Sequence, residues 1–175
     1  MRDAKPSAKR RNTPRTDIIC EAAAADCVDF CDGRWLQCAL EVLRFNGLHL
    51  IVFSEALRDL LVNGREKHRN IFITEPADCA KTFLLDPLQK IFRTFSNPSD
   101  NKYSWLGVEK AKVIFLNDFH WSSESIAWKE LLLLLEGQTV HIPTPKNNYT
   151  RDLCIDGDIP VFATGKNEIK YVSNR

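Results

Sequence analysis

Glycine is scarce in this chain: seven in 175 residues, with none between Gly64 and Gly107. An intact glycine-rich phosphate loop is therefore excluded from that stretch, because such loops need glycine where the backbone turns sharply or nears an anion. Charge of one sign is also missing. Lysine plus arginine number 24 against 23 aspartate plus glutamate, a net charge of +1, so any nucleic-acid binding must come from local clusters. The longest aliphatic run, Leu131 to Leu135, is far shorter than the roughly 20 residues of a membrane span. No apolar segment follows the basic start as a secretory signal requires. Among the six cysteines, Cys27 and Cys31 have neither a second close pair nor a following His-x₃₋₅-His, which argues against zinc. Reduced packing thiols are the expectation. Together these absences predict a soluble, intracellular protein with no membrane partner. Internal repeats and low-complexity tracts are lacking too.

What remains is organised around residues 70–85. The run Asn70-Ile71-Phe72-Ile73-Thr74 reads as a strand, and Lys81-Thr82 opens an apolar helix, the strand, loop and helix order of a P-loop. Laid over residues 75–82, the motif GxxxxGK[ST] puts its glycines on Glu75 and Ala80, while Lys81 and Thr82 fit. A lysine there reaches the β and γ phosphates, and a threonine hydroxyl coordinates Mg²⁺. The loop Pro76, Ala77, Asp78, Cys79 and Ala80, through the N–H groups of its last four residues, and the helix N-terminus would hold the rest. Glu75 adds a like charge near a polyanion, and Ala80 adds a methyl at a crowded point. Both weaken nucleotide binding, and a plain strand-to-helix turn with an exposed lysine is the alternative.

Lys112-Val113-Ile114-Phe115-Leu116-Asn117-Asp118 is an apolar run ending in a carboxylate, the pattern of a buried parallel strand whose C-terminal end lines a ligand crevice. Asp118 stands where Mg²⁺ and an attacking water would be managed. Its neighbour Asn117 is neutral and a poorer partner for a hard cation. A simple Asn-Asp turn ending a strand is the competing reading.

Two further segments follow in order: Leu131–Lys146, which opens with five leucines, and Pro160–Asn167, another strand. With these four segments, the chain from about Trp35 to Tyr171 resembles the helicase domain of superfamily III. That domain occurs in the parvovirus non-structural protein and Rep-like replication proteins, including copies carried in animal genomes. The resemblance implies an α/β P-loop NTPase, AAA+-like, with a central mainly parallel sheet preceded by a small helical unit. It implies ATP and Mg²⁺ as cofactors, single-stranded DNA as partner, and a homo-oligomeric ring or co-assembly with an intact relative. Residue by residue, Lys81 would bind phosphate, Thr82 and Asp118 would serve the metal, and Lys146 would touch DNA, with His141 nearby. Lys166 falls on the family's γ-phosphate sensor asparagine, with Asn167 one place later.

The remaining chain fits that frame. Residues 1–17, with Arg2, Lys5, Lys9, Arg10, Arg11 and Arg15, read as a disordered basic arm: a nucleic-acid contact, a nuclear import signal or a solvated tail. Residues 18–64 read as the small helical unit, with helices over Arg34–Phe45 and from Glu55 to Val62 after a Ser54 cap. Residues 65–175 read as the NTPase core, C-terminally truncated. Gly64 to Arg69 is expected to be a solvated connector, Pro87 to end or kink its helix, and Tyr103 to Leu106 to form a short strand. Trp121 and Trp128 are expected to fill a core rather than stack on bases. An arginine finger after the sensor strand and a His-x-His nicking pair are both missing. A weak or inactive, decayed or domesticated viral or mobile-element copy in the nucleus is the expectation; a non-catalytic module for oligomerisation or DNA binding is the alternative.

Overall fold

The computed structural model describes residues 13–27, 31–74, 80–96, 98, 103–145 and 152–166. Within them run α1 (Arg15–Ala24), α2 (Arg34–Phe45), α3 (Leu50–Asn63), β1 (Ile71–Thr74), α4 (Lys81–Ile91), β2 (Thr94–Ser96), β3 (Val113–Leu116), α5 (Trp128–Leu135), β4 (Val140–Ile142), β5 (Leu153–Ile155) and β6 (Val161–Gly165). A 3₁₀ turn, Val108–Lys110, precedes β3. Four strands form one sheet in the order β1-β6-β3-β2, every neighbouring pair parallel. The remaining two, β4 and β5, make an antiparallel hairpin. The chain is thus α/β with a central parallel sheet.

Strands covered on both faces must be apolar throughout, not alternating. Accordingly β3 and β6 are buried along their whole length. Their side chains still divide by face with a period of two. Ile114 and Leu116 join α5, Val140 and Trp105 in one core. Val113 and Phe115 join Leu60, Leu85 and Ile18 of the helices in the other. Helix α2 reaches this second layer through Ala39 and Leu43 against Leu84, and Trp35 packs on Phe83 with ring centroids 5.4 Å apart.

Several local expectations change in the folded chain. Helix α1 begins at Arg15, inside the stretch expected to be unstructured, because Arg15 Nε donates to Leu61 O at 2.6 Å and its guanidinium pairs with Asp158 at 2.7 Å. Ser54 caps nothing. Helix α3 starts at Leu50, and the Ser54 hydroxyl donates back to Ile51 O at 2.9 Å; packing of Phe53 against the sheet–helix core and the α2–α4 cluster extends the helix upstream of the polar signal.

Helix α4 runs through Pro87 to Ile91. Burial of Leu84, Leu85 and Leu88 around it offsets the hydrogen bond the proline removes. Tyr103 to Leu106 is a turn, not a strand, which buries Trp105 completely and stacks it on Phe95 at 5.4 Å. Trp121 and Trp128 meet edge to face at 5.3 Å beside the first core, and Trp121 Nε1 donates to Ile126 O. That is a packing role.

Arg65, expected in a solvated connector, is 4% exposed. Its guanidinium donates to the carbonyls of Gly157, Leu134, Gln138 and Ile155 at 3.0–3.3 Å. Those carbonyls lie at the end of α5, in the turn leading to β4, at the end of β5 and in the β5–β6 connection, so Arg65 fastens these to the segment that enters β1. Burial pulls its pKa below the ordinary arginine value, opposed by Asp158 and Asp156. Among the described residues no single helix is long and apolar enough to cross a membrane.

Candidate phosphate and metal site

Because β1, β6 and β3 are parallel neighbours, their C-terminal ends lie on one rim. The first of these ends leads into Glu75, Pro76, Ala77, Asp78 and Cys79, which lie outside the described residues. The chain resumes at Ala80, in the left-handed region with φ 56° and ψ 24°. An L-residue pays roughly 1–2 kcal/mol for that conformation; here alanine holds a backbone shape that glycine adopts freely. Helix α4 then starts at Lys81, its N-terminus and the positive end of its dipole on this rim. Lys81 is placed by its backbone alone.

The next residue makes the connection across the sheet. Thr82 Oγ1 donates to Asn117 Oδ1 at 2.8 Å, joining the first turn of α4 to the residue just past β3. Thr164 Oγ1 donates to the same oxygen at 2.9 Å. Thr164 is fully buried in β6, and its hydroxyl also accepts from the Asp118 backbone N–H at 2.9 Å. Its carbonyl takes the N–H of Phe119 at 2.9 Å. One β6 side chain therefore sets both the Asn117 amide and the turn that follows.

That turn carries Asp118 with φ 47°, and its side chain is exposed. Lys166, exposed, follows β6 at the same rim. Ala80, Thr82, Asp118 and Lys166 are thus brought together by strand order. His141 is not among them: it is exposed on β4, opposite Cys154 in the hairpin. Lys146 and Asn167 lie outside the described residues.

A hydroxyl that donates its proton to Asn117 keeps its lone pairs for another partner, which suits Thr82 to a hard cation. Among the described residues no group of three His, Cys, Asp or Glu side chains converges. Both lone pairs of Asn117 Oδ1 are taken by Thr82 and Thr164, so a cation here would depend on the Thr82 hydroxyl, the Asp118 carboxylate and oxygens from water or a ligand. That set is too sparse for an all-protein cage.

Two residues of this arrangement escape a reading of the sequence. Asn117 registers there only as a weak neighbour of Asp118, yet it is the partner of Thr82. The signal for Thr164 is faint: a polar residue closing the apolar run Val161–Ala163. No protein-family model matches the chain, and no curated protein is recognisably similar to it.

Proposed function

We propose that the chain is a P-loop NTPase of the superfamily III helicase type, binding the phosphates of ATP with Mg²⁺ at the rim of β1, β6 and β3. The observation that carries this reading is the Thr82 to Asn117 hydrogen bond at 2.8 Å. It joins the hydroxyl expected on Mg²⁺ to the strand end expected to complete the metal site. Ala80 supports it, since its positive φ falls where the motif has its second glycine. In this reading Lys81 would bind phosphate, Thr82, oriented by Asn117, would hold Mg²⁺ together with Asp118, and Lys166 would face the γ-phosphate. Bound Mg²⁺ would neutralise phosphate charge during phosphoryl transfer. Single-stranded DNA would meet Lys146, and His141 of β4, in a nuclear homo-oligomer or a mixed assembly with an intact relative. Turnover is weak, because a neutral amide replaces a carboxylate beside the metal and Glu75 repels phosphate.

A second reading, a non-catalytic module kept for assembly, is favoured by one specific feature. At the turn between α2 and α3, Phe45 is 82% exposed, Ile51 57% and Val52 64%, an apolar corner of the kind subunit contacts cover. Titration with MgATP and a turnover assay separate the two. ATP binding that Lys81→Ala abolishes supports the first reading. Binding that appears only after Glu75→Gly with Ala80→Gly supports the second.

A further inference from the structure

The cysteines, expected among the packing residues, stand largely at the surface: Cys20, Cys27, Cys38 and Cys154 are exposed and Cys31 is half-buried. In α1 and α2 the buried positions are Ile18, Ala39 and Leu43. Cys20 and Cys38 lie about 200° and 100° around the helix from the nearest of these, which turns them away from the core. Two of the thiols meet. Cys27 and Cys31 belong to the connection between α1 and α2, neither in a helix or strand, and their side chains are hydrogen-bonded to each other.

Cys31 also serves the start of α2. That helix has Gly33 as its N-cap, with no side chain to accept its first N–H groups. Asp32 with φ 46° and Gly33 with φ 75° curl the chain back on itself. The Arg34 N–H donates to the Cys31 carbonyl at 2.7 Å, and the N–H groups of Trp35, Gly33 and Arg34 reach the Cys31 sulfur. Successive amides aimed at one atom make an anion-binding nest, here at the positive end of a helix of 12 residues. The Trp35 N–H is the main reason the Cys31 thiol ionises below its ordinary value; the Cys27 thiol adds to it, and burial opposes both. Thiolates, not thiols, attack electrophiles, and a cysteine held by a helix N-terminus is of the reactive kind.

We infer that Cys31 is a modification site, oxidised by a hydroperoxide, with Cys27 as its resolving thiol. The Cys31 sulfur attacks the terminal peroxide oxygen and the O–O bond breaks. Sulfur is oxidised to the sulfenic acid, and the peroxide is reduced to an alcohol or water when its leaving oxygen takes a proton from solvent. The Cys27 sulfur then attacks the Cys31 sulfur: an S–S bond forms, the S–O bond breaks, and the hydroxyl leaves with the Cys27 proton as water. Because neither residue is fixed in a helix or strand, the sulfurs can close from hydrogen-bond contact to a bond of about 2.05 Å with little rearrangement. A thiol reductant reverses the step, as in the transient disulfides of reducing compartments. The inference goes beyond the proposed function and does not depend on nucleotide.

The test treats the reduced chain with a limiting amount of hydrogen peroxide, alkylates the remaining thiols and reads each cysteine by peptide mass spectrometry. Cleavage after Glu21 and Arg34 puts Cys27 and Cys31 on one peptide, apart from Cys20. That peptide should appear unalkylated and two hydrogens lighter before Cys20, Cys38 or Cys154 is modified, and dithiothreitol should restore it. In Cys27→Ser the Cys31 sulfenic acid should persist and be captured by dimedone. Without peroxide, iodoacetamide should alkylate Cys31 about tenfold faster than Cys38 in the folded chain, an advantage that disappears in urea with the nest. Cys31 reacting no faster than Cys38 would overturn the inference. So would a disulfide joining Cys31 to any cysteine but Cys27, or a rate advantage that survives in urea.

Discussion

Thr164 and Asn117 share one hydrogen bond of 2.9 Å in which the donor is completely buried and the acceptor also serves Thr82. A single β6 hydroxyl thereby orients the end of β3 toward the start of α4. Remove that hydroxyl and the site loses its alignment before it loses any group expected to touch a ligand.

Thr164→Val keeps the shape and deletes the hydroxyl. The Asp118 N–H would lose its acceptor, and because that bond is part-buried the cost is that of one ordinary hydrogen bond, about 1 kcal/mol. Urea unfolding should show that loss, and nucleotide affinity should fall by more than the change in folded fraction explains.

The Arg65 clamp predicts a larger effect. Replacing Arg65 with Met removes donors from four carbonyls at once, and each buried acceptor left unpaired costs about 1–3 kcal/mol. Gly137→Ala attacks the same junction from the other side. Its added Cβ would lie 2.6 Å from the Arg65 carbonyl oxygen, at a backbone φ of 76°. Thermal melting should show both variants destabilised, with hydrogen exchange faster first in β4 and β5.

The anchoring of α1 makes stability depend on pH. The hydrogen bond from Arg15 is the main reason the Asp158 pKa falls below its ordinary value, with the Arg15 charge adding to it. A depressed carboxylate stabilises the fold above its unfolded pKa of about 3.9 and loses that contribution as pH falls through the folded value. Asp158 is 63% exposed, so screening limits the pair to about 1 kcal/mol or less. Arg15→Ala should therefore cost stability at neutral pH, with the part owed to Asp158 vanishing in strong acid. Urea unfolding across the acid range would show the gap narrowing.

The physical range of each interaction decides what the sequence could disclose. Strands β3 and β6 were legible because double-sided burial leaves uninterrupted apolar runs, and α2 because Trp35, Ala39 and Leu43 repeat at helical spacing. The shared rim of Thr82 and Asp118 followed from parallel strand order. The bond from Thr82 to Asn117 spans 35 residues, and nothing local distinguishes Asn117 from an ordinary turn asparagine. Arg65 sat in a charged run with the composition of a solvated loop, and its acceptors lie 69 to 92 residues away. Pro87 misled in the same manner: a local rule predicts a break, and burial of the leucines around it prevails.

The most direct measurement on the central claim is calorimetric titration of MgATP into the chain and into Asn117→Asp. An added carboxylate beside the Thr82 hydroxyl should strengthen Mg²⁺ binding. The account predicts MgATP affinity higher by about tenfold, or about 1.4 kcal/mol, with the gain lost when Mg²⁺ is withheld. A folded Asn117→Asp protein that binds MgATP no better than the unaltered chain would contradict it.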